Sequence, residues 1–316
     1  MTRIIYGAPP SDTPAGGVKV IYRHSEILNT LGVESAVWHP GDNEFKCTWF
    51  ENSIKTVSAE DLSPSTDFII IPEIWASSYV PMFKSLGFKV AIYVQNCYYT
   101  HVNLNSENEK AIADAYRDSD LILSISQDTS DYLINVFKVP SWKIVIQRYS
   151  INLDIFHPSK KSKTITYMPR KMEQHSRRVT SALESLIPSG WIIKPLDKMS
   201  EQEVANNLNE SIIFLAFSEF EGLPVPPVEA ALSGNFVIGY HGQGGKEYWK
   251  DPIFTNIEQG DIKKFIKTTL EKIELIENGK FDLNIINENI GNLARYFSKE
   301  TEREYLITMR DKILSF

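Results

Sequence analysis

Short runs of consecutive apolar residues alternate along the whole chain with longer stretches in which apolar positions recur every three or four residues. RIIYG (3–7), ESAVWHP (34–40), DFIIIP (67–72), KVAIYVQN (89–96) and DLILSIS (120–126) are runs of the first kind. Being nearly all apolar rather than alternating, they predict strands of a parallel sheet covered on both faces. After the first, VKVIYRHSEILNTLG (18–32) sets Val20, Ile21, Ile27, Leu28 and Leu31 on one helical stripe that stops at Gly32. DTSDYLINVFKV (128–139) predicts a helix with Asp128 or Thr129 as N-cap.

A second series of the same kind follows KIVIQRYSINLDIFHP (143–158). Its strands are TITYMP, WIIKPL, SIIFLAF and NFVIGYHG, and its helices VTSALESL, SEQEVANNLN, VPPVEAALSG and the segment 260–279. The lysine-rich segment 159–163 has no period and predicts a linker. The fold class expected is α/β, with two tandem Rossmann-like doubly wound domains over residues 1–157 and 158–297. The amphipathic C-terminal helix, 298–316, is expected to return to the first. Ligands of such sheets bind at the carboxyl ends of the strands, so two facing domains would create a cleft.

Composition narrows the partners. The 316 residues are 42% hydrophobic and 23% charged, enough for two full cores. A net charge of −7 argues against nucleic acid, whose binding needs a positive surface. Against that acidic background, Lys160, Lys161, Lys163, Arg170, Lys171, Arg177 and Arg178 cluster. Such a run is a solvated face or a pocket for a small phosphorylated ligand. Cys47 and Cys97 make neither a disulfide framework nor a zinc cluster. MTRIIYGAPP lacks the apolar length of a secretory leader, and no apolar run reaches the roughly 18 residues of a membrane span.

The most informative stretch is SEFEGLPVPPVEAALSG (218–234), where seven residues separate Glu221 from Glu229. SEFEGL reads as the turn after strand SIIFLAF, and Pro226 and Pro227 as the first turn of the next helix. Glu221 then stands at a ligand-binding edge and Glu229 about one turn into the helix, whose start offers N–H groups and a positive dipole end to phosphate. Carboxylates at both ends of a phosphate site suit a sugar nucleotide, since each can grip a diol. An exposed Glu221 and a dipole-matched Glu229 account for the spacing equally well. HGQGGKEYW (241–249) is a glycine-rich loop whose Gly244, Gly245 and Glu247 are candidates for donor contact. Gly16 and Gly17 follow the first strand in a loop too long and wrongly spaced for a dinucleotide fingerprint, which argues against a nicotinamide dehydrogenase and leaves their N–H groups for phosphate or sugar. Asp118-Ser119-Asp120 precedes its strand rather than ending one, so it reads as structural.

FSEFEGLPVPPVEAALSGNFVIG resembles the E-x7-E segment of family 4 glycosyltransferases, which have the GT-B fold. PAGGVKVIYRHSEILNTLG, SDLILSISQDTSDYLINVF, SINLDIFHP and ITYMPRK resemble further segments of that family in the same order. The resemblance implies an acceptor-side first domain and a nucleotide-sugar donor domain after it. It implies Glu221 on the donor sugar, Glu229 on the ribose, Arg170 on the diphosphate, and the Gly222-Leu223-Pro224 turn around the donor. The family adds a lysine a few residues after that arginine. Gln174 and His175 stand near that place here, with Lys171, Arg177 and Arg178 as alternatives, of which Lys171 is favoured. Many members also carry a histidine after the strand matching KVAIYV. This chain has Gln95, Asn96, Cys97 and Tyr98 there, and His101 further on. Gln95, Asn96 and Tyr98 become candidates for acceptor or sugar contacts, and the acid/base residue is left open.

The activity implied is transfer of a sugar from a nucleoside-diphosphate donor to an acceptor hydroxyl, with retention of configuration, no cofactor and no metal. Surface glycan synthesis in bacteria, with a saccharide or glycolipid acceptor, is the family's habit. It carries a cytoplasmic location and peripheral contact with the inner membrane face. Two rivals stand beside it: a nucleotide-sugar epimerase on the same fold, and a non-catalytic nucleotide-sugar-binding module.

Overall fold

A computed structural model describes residues 2–42, 44–101, 109–280 and 283–316. The chain divides into two compact units, Met1–Tyr149 with Glu302–Phe316, and Ser150–Thr301. Among the described residues no helix is long and apolar enough to cross a membrane.

The first unit is built from β1 (Arg3–Gly7), α1 (Gly16–Thr30), β2 (Ser35–Trp38), β3 (Thr56–Val57), β4 (Asp67–Pro72), α2 (Ala76–Ser85), β5 (Lys89–Val94), α3 (Glu109–Asp118), β6 (Leu121–Ser124), α4 (Gln127–Val136) and β7 (Ile144–Ile146). Its strands pair in the order β3-β2-β1-β4-β5-β6-β7, and every ladder is parallel. The strand order reverses between β1 and β4. Crevices for ligands open at such a reversal, outside the carboxyl ends of the two strands. The consecutive apolar runs are explained by burial on both faces, since all six positions of β4 are buried. Ile5, Ile69, Ile71, Ile92 and Tyr116 belong to one core. Each such isoleucine contributes about 1.5–3 kcal/mol by leaving water.

From Glu302 onward, α10 (Lys299–Leu314) belongs to this first unit. It buries Glu302, Leu306, Met309 and Ile313 along one stripe. The Glu302 carboxylate lies 2.8 Å from Arg23 Nη2 and 3.4 Å from His24 Nε2. A buried carboxylate of this kind is tolerable only because cationic or N–H groups meet it.

The second unit contains β8 (Thr164–Tyr167), α5 (Glu173–Glu184), β9 (Ile192–Pro195), α6 (Glu201–Glu210), β10 (Ile213–Glu221), α7 (Val225–Leu232), β11 (Phe236–Gln243), β12 (Phe254–Asn256), α8 (Ile262–Glu277) and α9 (Leu283–Tyr296). Its parallel sheet has the order β12-β11-β10-β8-β9, reversing between β8 and β10. Phe217 and Phe265 stack at its centre with ring centroids 4.9 Å apart.

Several local readings need correction. α1 begins two residues early, taking in both glycines. The N-cap of α4 is Ser126, whose hydroxyl accepts from the Thr129 N–H; the helix already begins at Gln127, which puts Asp128 and Thr129 inside its first turn. SEFE is strand rather than turn: β11 runs on beside it, and the ladder resumes at Glu221 opposite Gln243 after a register shift. The segment 159–163 is not a loose linker. Half-buried Lys161 donates to the carbonyls of Leu208, Asn209 and Ser233, satisfying the ends of α6 and α7 together. Asp120 accepts from Lys84 Nζ and the Val90 N–H, both at 2.8 Å, which gives the Asp-Ser-Asp run the structural role expected.

Candidate active site

Arg170 and Lys171 follow β8, and Glu221 closes β10, so all three stand at the reversal point of the second sheet. Lys171 Nζ lies 3.1 Å from Glu221 Oε1, with the lysine half exposed and the glutamate mostly covered. Arg170 turns elsewhere: its Nε lies 3.1 Å from Asp197 Oδ1, and the side chain is 82% exposed. Of the alternatives for the phosphate-binding lysine, Lys171 is thus the one that meets Glu221. Arg177 and Arg178 are exposed on α5, with Arg178 donating to the Gln174 carbonyl, and His175 Nδ1 lies 3.2 Å from the Tyr240 hydroxyl. Directly after Lys171, Met172 adopts a left-handed conformation at φ 43°. A non-glycine residue held there stores strain of the kind that collects at functional sites.

The turn after Glu221 is packed on the loop after β11. A Cβ on Gly244 would sit 1.8 Å from the Gly222 carbonyl oxygen and 2.8 Å from that of Glu221. A Cβ on Gly245 would lie 3.3 Å from Pro224 Cγ, and the Tyr248 hydroxyl donates to the Pro224 carbonyl at 2.8 Å. Gly222, Leu223 and Pro224 are accordingly buried, so this turn presents a fixed backbone. Tyr248, Asp197 and Gln243 were not singled out by the sequence. Only Tyr248 carried a signal, as one of the two aromatics that end the glycine-rich run.

Glu229 is the fifth residue of α7 and half-buried. The helix starts at Val225, one residue before the prolines, with Pro224 as N-cap. Positions 224, 226 and 227 are prolines, so of the first four amides only Val225 has an N–H. The start of α7 therefore keeps its dipole and loses the donor cradle expected of it.

Gly16, Gly17, Gln95, Asn96 and Tyr98 belong to the first unit. α1 starts at Gly16 with no side-chain cap and no acidic residue in its first turn. The Gln95 amide donates to the Gly17 carbonyl at 3.2 Å, and a Cβ on Gly17 would fall 2.1 Å from Gln95 Oε1. The buried Asn96 side chain accepts from the Tyr98 N–H, and the Tyr98 hydroxyl donates to Asp128 at 2.6 Å. Burial, then the Asp128 carboxylate, push the Tyr98 phenol above its ordinary value. The sequence also missed Glu73, just past β4, whose carboxylate accepts from the Asn96 N–H at 2.9 Å. Burial pushes its pKa up to about 7 against the backbone donors of Glu73, Asn96 and Gln95. A glutamate closing an all-apolar parallel strand was the available signal. The His101 side chain lies outside what is described.

No family model matches the chain. An alpha-1,6-glucosyltransferase of Actinobacillus pleuropneumoniae serotype 7 is 24% identical over 312 residues, covering 92% of this chain and 90% of the relative. The sucrose-phosphate synthase of Thermosynechococcus elongatus superposes over all of both chains with a TM-score of 0.76 at 11% identity. Anabaena HepE, solved in complex with UDP-glucose, does so with a TM-score of 0.75 at 10% identity, over 99% of this chain and 100% of its own. The two parallel sheets, with their reversal points and these likenesses, give the chain the α/β architecture of GT-B glycosyltransferase structures.

Proposed function

We propose that the protein is a glycosyltransferase that moves a sugar from a nucleoside-diphosphate donor to an acceptor hydroxyl. The observation that carries this is the Lys171–Glu221 pair across the reversal point of the second sheet. It sets a cation for phosphate beside a carboxylate for sugar. The relative named as a glucosyltransferase and the UDP-glucose complex of HepE support glucose and uridine as the first donor to try.

In this reading the anomeric carbon–oxygen bond to the β-phosphate breaks, and a bond from that carbon to the acceptor oxygen forms. Lys171 and Arg170 neutralise the charge that grows on the departing diphosphate, where preorganised cations matter most. Glu221 holds the donor sugar and stabilises positive character on its ring. Glu229 grips the ribose, and the Gly222–Pro224 turn and the Gly244-Gly245 loop bound the donor. The acceptor proton passes to the leaving phosphate, so configuration is retained without a dedicated base or a metal. Gln95, Asn96 and Tyr98 belong to the acceptor side, with the Gly16-Gly17 start of α1 offering N–H groups to the donor. A glycan or glycolipid acceptor in surface polysaccharide synthesis, reached from the cytoplasm at the inner membrane face, completes the reading.

The test is thermal shift and nucleotide release against a panel of nucleotide sugars, with and without saccharide acceptors. UDP-glucose should raise the melting temperature, and UDP release should rise when a glucoside is added. Sugar-nucleotide turnover that is insensitive to every acceptor, with free UDP and an altered sugar as products, would favour the epimerase instead. Binding without any turnover would leave only the binding module.

A further inference from the structure

Glu73 stands where the first sheet reverses, directly after β4 and beside the end of β5. The residue is 8% exposed and its carboxylate faces backbone N–H donors: Oε1 takes the Asn96 N–H at 2.9 Å, and the Glu73 and Gln95 amides also hold its charged form. From those two residues the contacts fan out. Gln95 reaches the Gly17 carbonyl at the start of α1, while Asn96 takes the Tyr98 N–H and Tyr98 reaches Asp128 on α4. One buried group therefore governs the loops after β1, β4 and β5 at once.

We infer that Glu73 is a positioning residue: it fixes the Gln95-Asn96 turn, and through it the start of α1 and the stance of Tyr98, so that acceptor-side groups are held in place during transfer. The inference rests on the transferase reading. A carboxylate suits the task because it only accepts, and its surroundings only donate. An amide would turn an NH2 toward other N–H groups. Among the described residues, the ionisable groups that interact with it are Tyr93 on β5, Cys97 after β5 and Tyr116 on α3. Burial pushes all three upward, the Cys97 thiol to about 12, so they are neutral where Glu73 changes charge. Below about pH 7 the carboxyl gains a proton and the clamp on the three amides slackens.

The experiment uses the full chain with UDP-glucose as donor and reads UDP release from pH 5.5 to 9. Wild type should lose rate below about pH 7. Glu73→Gln should lower kcat at least tenfold at pH 8 and flatten that limb. Calorimetric UDP affinity should stay within twofold, because Arg170, Lys171 and Glu229, assigned to the diphosphate and the ribose, belong to the other unit. Glu73→Asp should recover part of the rate. Unchanged kcat in Glu73→Gln, or loss of UDP affinity in step with kcat, overturns the assignment. Should Glu73→Gln fail to fold, hydrogen exchange in wild type decides: the Asn96 amide should be at least fivefold better protected at pH 8 than at pH 6, and equal protection overturns it. Wild type that turns over no nucleotide sugar at all defeats the transferase reading and this role with it, whereas an active wild type with an equally active Glu73→Gln defeats the role alone.

Discussion

Lys171 Nζ and Glu221 Oε1 meet at 3.1 Å, joining the first residues after β8 to the last residue of β10. The pair is half exposed on the lysine side, so it adds little to stability. A cation pre-oriented by a carboxylate, with donors left over for phosphate, is more useful to chemistry than to folding.

Lys171→Ala should therefore lower kcat about a hundredfold, the usual cost of one group that stabilises developing charge, and leave the melting temperature nearly unchanged. Arg170→Ala should cost about tenfold less, since that side chain is exposed and paired with Asp197. Steady-state kinetics on the two variants side by side checks the order. Equal losses would place both cations on the diphosphate alike.

Glu229→Gln should raise KM for the donor roughly ten- to a hundredfold and spare kcat, because the ribose contact proposed for it would be present before and during reaction alike. Calorimetric titration with UDP gives the affinity directly. Wild-type affinity with a lowered melting temperature would mean that Glu229 serves only the dipole of α7.

Gly244→Ala should be destabilising by on the order of 3 kcal/mol, because its Cβ would meet the rigid Gly222 carbonyl at 1.8 Å. Gly16→Ala meets nothing within 4 Å at a helix start and should be neutral to stabilising by about 0.5 kcal/mol. Urea denaturation of both variants tests whether close approach, rather than glycine as such, is what the donor loop requires.

Glu73 should leave a signature in stability against pH. Its carboxyl is raised from 4.5 to about 7 in the folded protein, so across that window the folded state holds the proton and the unfolded state does not. Its contribution is full below pH 4.5 and is lost as pH rises to 7, a fall of about 3 kcal/mol. Denaturation midpoints of wild type minus Glu73→Gln, taken from pH 4.5 to 8, should trace that decline. A flat difference would mean the carboxylate is as comfortable buried as in water.

The strands of both sheets were legible because burial on both faces leaves runs such as DFIIIP with no polar position. The short edge strands β3 and β12 were not, since two or three residues carry no period. The glycine start of α1 was hidden for want of a cap, and the extension of β10 through Glu221 because its exposed Glu219 and Phe220 look like a turn. Arg170, Lys171 and Glu221 were found by their places in a motif. That Lys171 meets Glu221 while Arg170 meets Asp197 is a matter of which way adjacent side chains leave the turn after β8, which residue type does not disclose. Glu73 escaped because a single glutamate after a strand says nothing of how deeply it is set.

The prolines opening α7 bear on how the protein responds to its medium. Backbone amides grip an anion from inside the fold, where dissolved ions hardly reach. Exposed ammonium and guanidinium groups are screened by them over about 10 Å at 0.1 M salt. With Val225 as the lone amide at that helix start, the proposed reading leaves the hold on a nucleotide diphosphate to Lys171 and Arg170. Affinity for the donor should then weaken steadily as ionic strength rises, making the salt content of its surroundings a direct control on how much of the protein is loaded.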